Sequence, residues 1–381
     1  MRNRHGTIVI LLCVLAAMGV WADNLRAFEN ASPGRDIDAY FIGNSLTRNV
    51  PLERLQELFS ASGDKLDYGM QLGGGHRLEQ HPSMRNHGNK PGEGKYNLKA
   101  PYGTWADAFK EYKFDAVVLQ PYMRKLDEPI KVHNRWPYFS AGTLQAAGGL
   151  IDYARGRTQP GQGRWDYEHP NPDHVAAERF YIYATWPKAE QVLEQEGERT
   201  YARYYEADYK GGIQPCADFY KQLVKKLNEK QADLKKPVCL IPAGHVLAAL
   251  DEKIRTGKLP GIEAFYDRNQ KYYINSRRNN KSKSPFDPDQ FQPAAGVLNF
   301  YADGVHMNDQ PHNGRDSGTI GSYVAALTIY ATLTGESPVG LTVGPYEMFD
   351  PKADAELIRA LQETLWDVVT GNRHSGVSTQ K

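Results

Sequence analysis

An α/β fold built on a parallel sheet is predicted by two features of this chain: short apolar runs of strand length recur along it, and helix-periodic stretches lie between them. The runs are residues 37–42, 66–70, 116–119, 180–184 and 238–241, each ending near Gly, Asn, Gln or Pro. Residues 50–61 place Leu52, Leu55, Leu58 and Phe59 on one face, and 105–112 reads as a second helix. Further helices are expected at 216–229, at 317–333 with Gly335 closing it, and at 354–369. Such crossovers put helices on both faces of the sheet. At 381 residues and 40% hydrophobic, the chain has enough apolar surface for a full core. One domain over 23–370 accommodates the whole pattern, followed by a polar tail, 371–381, expected to be disordered.

The chain opens with Arg2 and Arg4, an apolar run over 8–20, and small residues at Val20 and Ala22. This reads as a secretory signal peptide over residues 1–22, with an uncleaved anchor as the alternative. A secreted or periplasmic location follows, with no membrane association after cleavage. Removing that segment leaves 44 basic against 45 acidic side chains, so no nucleic acid or anionic membrane is called for as a partner. Two cysteines then remain, Cys216 and Cys239, separated by a helix that carries the chain roughly 20 Å, whereas a disulfide tolerates about 7 Å between α-carbons. They are expected to stay as thiols.

Residues 76–104 and 123–178 are rich in Gly, Pro, His, Asn and aromatics and read as long loops over one end of the sheet. Residues 277–292, basic and polar, read as an exposed loop.

The first strand runs into Gly43-Asn44-Ser45, with a helical pattern a few residues later. A serine at that junction is exposed at the carboxyl edge of the sheet, where backbone N–H groups can meet an oxyanion. Alone, the motif is also an ordinary turn and helix cap. A serine hydroxyl needs a base, and His306 lies ahead of the late helix with Asp303 three residues before it, a spacing that can bring carboxylate to imidazole. A polar turn is the competing reading of that block. The two together suit a nucleophile, base and orienting acid.

On these blocks, Gly43-Asn44-Ser45 and Asp303-Gly304-Val305-His306, the sequence resembles the SGNH hydrolases, or GDSL-like esterases and lipases, from about residue 36 to 335. The resemblance implies a three-layer α/β/α, flavodoxin-like sandwich and a triad of Ser45, His306 and Asp303. It implies an oxyanion site made by Ser45 and a glycine of Gly73-Gly74-Gly75, with Gly75 or Gly74 as donor. A phosphate loop is the poorer reading of that run, since no Gly-Lys-Ser or Gly-Lys-Thr follows. The third block departs from the family, which presents Gly-x-Asn-Asp after its strand; here Gln120-Pro121-Tyr122 stands, and Gln120 is the expected substitute donor.

Asn44, His76, Tyr122 and Trp186 are the expected substrate-pocket residues, Trp186 forming a wall. The aromatics Tyr102, Trp105, Tyr122, Trp136, Tyr138, Trp165 and Trp186 suit stacking on sugar rings, though core packing accounts for part of them. His76, His81, His87 and Glu79 match no metal-binding helix motif and read as loop residues with substrate-edge or structural roles, a metal site being the lesser reading; no metal or organic cofactor is required. His245 is expected to be structural or at the pocket rim, and His312 is the alternative base to His306, though Asp309 three residues before it lacks the match to the family's late block. The expected function is a secreted serine ester hydrolase that removes acetyl or another small acyl group from a carbohydrate. A general carboxylesterase or lipase is the alternative among enzymes, and a carbohydrate-binding accessory protein with weakened chemistry is the alternative outside them.

Overall fold

A computed structural model describes residues 35–83, 96–122, 125–127, 142–157, 173–188, 208–209, 216–269, 293–301, 305–307, 319–344, 346 and 348–378. The signal segment, the 277–292 loop, Asp303, His87, His312, Trp136, Tyr138 and Trp165 lie outside the described residues.

Among the described residues, six strands form one sheet: β1 (Asp36–Gly43), β2 (Lys65–Gly73), β3 (Tyr96–Leu98), β4 (Ala116–Leu119), β5 (Phe180–Tyr183) and β6 (Cys239–Ile241), in the order β3-β2-β1-β4-β5-β6. All are parallel except β3, which pairs antiparallel with the edge of β2. The parallel part thus has the flavodoxin-like order, reversing direction between β1 and β4. Every residue of β4 and β5 is buried, as both-face coverage demands, and this is why these strands read as unbroken apolar runs.

The helices are α1 (Ser45–Arg48), α2 (Leu52–Ala61), α3 (Gln80–Ser83), α4 (Trp105–Glu111), α5 (Thr143–Ala154), α6 (Ala217–Lys230), α7 (Ala243–Arg255), α8 (Ile320–Thr334) and α9 (Ala355–Gly371). In one layer α8 packs on α2, α7 and α9. The other contains α4, α5 and α6: Trp105 meets Tyr153 edge-on at 4.9 Å, and α5 packs on α6. The result is the expected three-layer α/β/α arrangement, joined by one buried core from Ile37 to Val369. Every residue of α8 is buried, and Gly335 closes the helix in the left-handed conformation.

Three expectations are corrected. The segment 123–178 is not all loop, because it contains α5, whose buried residues surround the helix; an apolar circumference shows no amphipathic period, and Gly148-Gly149 disguises it further. The segment 76–104 contributes β3. Residues 371–378 of the expected tail pack on the fold and cover the edge of the sheet: Leu240 N donates to His374 O at 2.7 Å, and the buried Ser375 hydroxyl donates to Val369 O at 2.7 Å.

Cys216 caps α6 and Cys239 lies in β6, both as free thiols. Among the described residues, no helix is long and apolar enough to cross a membrane.

Candidate active site

The carboxyl ends of β1 and β4 flank the point where the sheet order reverses, which is where open α/β sheets form their crevice. The chain leaves β1 through Gly43. A β-carbon there would lie 2.4 Å from Thr47 Oγ1 and 2.8 Å from Gln120 Oε1, so the close approach requires glycine. Asn44 then caps α1: its Oδ1 accepts from Leu46 N at 2.9 Å, and its Nδ2 donates to the His76 carbonyl at 2.8 Å. Ser45 follows as the first helical residue, partly exposed at the sheet edge.

His306 comes to this serine from 261 positions later in the chain, with Nε2 2.8 Å from Ser45 Oγ. A neutral imidazole accepts the hydroxyl proton across that contact. Sequence separation gave no information about the distance. The order of the sheet and the burial of the neighbouring Met307 bring the two groups together.

Gln120 is 1% exposed and sits beneath the turn. Its Oε1 accepts from Asn44 N at 2.9 Å and from Thr47 Oγ1 at 3.1 Å, while Nε2 donates to Pro121 O at 3.0 Å. The Asn44 amide can only donate, which fixes the orientation of the Gln120 side chain. In this arrangement Gln120 holds the serine turn, a task its sequence position did not suggest. Gly74 and Gly75 follow β2 in a turn closed by His76 N to Gly73 O at 3.0 Å. Gly75 has φ +65, and a β-carbon on either glycine would meet open space. The Asn44–His76 hydrogen bond joins this turn to the serine turn.

Of the expected pocket residues, Asn44 is buried as the cap, His76 contributes its carbonyl and Tyr122 is half-buried against the core. Trp186 is 2% exposed and its Nε1 donates to Val305 O at 2.9 Å. It anchors the segment that carries the histidine and does not present a wall. Trp105 is likewise core, and Tyr102 packs on Tyr112 and Phe114. Trp105 and Trp186, two of the aromatics expected to stack on sugar rings, therefore fill the core instead.

A buried polar network under the serine turn went unread in the sequence. Trp105 N donates to Gln71 Oε1 at 3.0 Å, so Gln71 Nε2 faces His81 Nδ1 at 3.2 Å and donates to it. The ring hydrogen is then on Nε2. Burial drives the His81 pKa down to about 3, His76 adds to this, and only the Gly43 backbone opposes it, so the ring is neutral at ordinary pH. Nearby, Thr143 Oγ1 donates to Glu79 Oε1 at 2.6 Å, and burial pushes the Glu79 carboxyl up to about 7. Among the described residues, no three metal-ligating side chains come together.

A hollow of about 910 Å³ opens at the opposite, amino-terminal edge of the sheet, lined by Arg35, Asp36, Asp38, Asp115, Arg179 and Lys236 among others. Its walls carry both signs of charge and lie at the far ends of the strands from Ser45.

No protein-family model matches the chain, and no curated protein matches it. Among solved structures it is similar to the crystal structure of a DUF4886 family protein from Bacteroides uniformis, at 19% identity and a TM-score of 0.45, covering 90% of this chain and 97% of that one. A likeness at that score and identity carries no information about activity.

Proposed function

We propose that this protein is a secreted serine ester hydrolase that removes acetyl or a similarly small acyl group from a carbohydrate. The observation that carries the reading is the 2.8 Å approach of His306 Nε2 to Ser45 Oγ at the reversal point of a parallel sheet. Ser45 Oγ attacks the acyl carbon as His306 takes its proton, and His306 then hands that proton to the departing alcohol. Asp303, three residues before His306, orients the imidazole in this scheme. The Ser45 N–H, which the first turn of a helix leaves without an internal acceptor, and the N–H of Gly75 or Gly74 receive the oxyanion. Water releases the acyl group by the reverse route. The resemblance of the Gly43-Asn44-Ser45 and Asp303-x-x-His306 blocks to SGNH hydrolases supports the same scheme, and the signal-like first 22 residues support export.

The test is hydrolysis of p-nitrophenyl acetate by the mature protein and by Ser45→Ala, followed by acetate release from a panel of acetylated polysaccharides. Serine-dependent turnover is expected. Equal background rates in the two proteins would sink the proposal. They would favour the reading as a carbohydrate-binding accessory protein, which has one observation of its own: the Gln120 amide is engaged with Pro121 O.

A further inference from the structure

His306 lies in an irregular segment, so its ring is only as well placed as the backbone on either side. Two side chains hold that backbone. Trp186 Nε1 donates to the carbonyl of the preceding residue, Val305, at 2.9 Å, and Asn49 Nδ2 donates to the carbonyl of the following residue, Met307, at 3.3 Å. Met307 is fully buried and bridges to Tyr301, whose hydroxyl donates to Pro187 O at 2.8 Å. The Trp186-Pro187 segment after β5 is therefore bonded twice to the part of the chain that carries the base.

Asn49 reaches further. Its own N–H donates to the Ser45 carbonyl at 2.9 Å, closing α1, and its carbonyl accepts from Ser322 Oγ of α8 at 2.7 Å. One residue thus ties the nucleophile, the neighbour of the base and the central helix of one layer.

We infer that Asn49 and Trp186 are positioning residues that set the approach of His306 to Ser45, an inference that rests on the serine-hydrolase reading. Neither touches the reacting atoms. Their hydrogen bonds fix both flanks of the histidine relative to the helix that begins at the serine, and displacement of a catalytic group by about 1 Å can cost about a hundredfold in rate.

The test uses Asn49→Leu and Trp186→Phe in the full chain. Leucine keeps the branching and the backbone N–H of asparagine without its side-chain donor, and phenylalanine keeps an aromatic ring without the indole N–H. Turnover of p-nitrophenyl acetate is measured per competent serine, counted from the endpoint of fluorophosphonate labelling. The expected result is a fall in kcat of about tenfold to a hundredfold per labelled serine, with KM changed by less than about twofold. A residue that only supports the fold would lower the number of labelled serines and the melting temperature, leaving kcat per labelled serine unchanged; that outcome overturns the inference. Where Asn49→Leu fails to fold, Trp186→Phe decides. Wild type compared with Ser45→Ala in the same assay separates this failure from failure of the hydrolase reading, because absence of serine-dependent turnover in the wild type removes both.

Discussion

Replacing Glu79 by glutamine is expected to change how stability depends on pH. Glu79 lies between the glycine turn and His81, is 2% exposed, and gives one oxygen to the Thr143 hydroxyl at the start of α5. Burial raises its pKa from 4.5 to about 7, and the Thr143 hydrogen bond, its own backbone and Arg77 offset only part of this. A folded-state pKa above the unfolded one means that the proton binds more tightly to the fold. That stabilisation is complete below the unfolded value and is lost as pH rises through about 7. The gap between 4.5 and about 7, at about 1.4 kcal/mol per pH unit, corresponds to roughly 3 kcal/mol. Glutamine keeps the shape and the acceptor for Thr143 but has no titrating proton. Urea unfolding of wild type and Glu79→Gln at about pH 5 and about pH 8 isolates this one group, since other titrations are common to both proteins and cancel. The variant should gain about 2–3 kcal/mol on wild type between the two conditions. A stability difference that does not change with pH would refute a buried Glu79 that is neutral in acid and charged above neutrality.

The remaining predictions concern the serine turn. Gln120→Leu leaves the Asn44 N–H, the Thr47 hydroxyl and the Pro121 carbonyl without their partner, so urea unfolding should show a loss of about 2–5 kcal/mol together with slower fluorophosphonate labelling of Ser45. A role as oxyanion donor alone predicts lost turnover at undiminished stability, and that combination would contradict the support role. Gly43→Ala inserts a β-carbon 2.4 Å from Thr47 Oγ1 and 2.9 Å from Gln120 Cβ. Ester turnover should drop by about tenfold or more as the turn shifts, and wild-type kinetics in a folded Gly43→Ala protein would show that the close approach is not needed.

Parallel strands could be read from sequence because their requirement is local and strong: residues 116–119 and 180–183, buried on both faces, must be apolar throughout. Helices α2 and α6 were legible for a related reason, each burying one stripe of side chains. Helix α5 failed that test because nearly all of its circumference is buried. β3 escaped notice because three residues on an edge carry too little pattern. The candidate serine and histidine were legible from residue type beside Gly43 and before α8. The hydrogen bonds of Asn49 and Gln71 were not, since a polar residue that will be buried and hydrogen-bonded looks in sequence like one that will be solvated.

Sequence alone determined the α/β class, the positions of the main strands along the chain and the chemistry available at residues 45 and 306, because hydrophobic period and residue type are properties of short segments. Tertiary structure decided which of those groups meet. It placed His306 2.8 Å from Ser45, gave Gln120 to the support of the turn and put Trp186 behind the histidine in the core. Those outcomes depend on the strand order and on which polar groups burial leaves in need of a partner, and both are set by contacts between residues far apart in the chain.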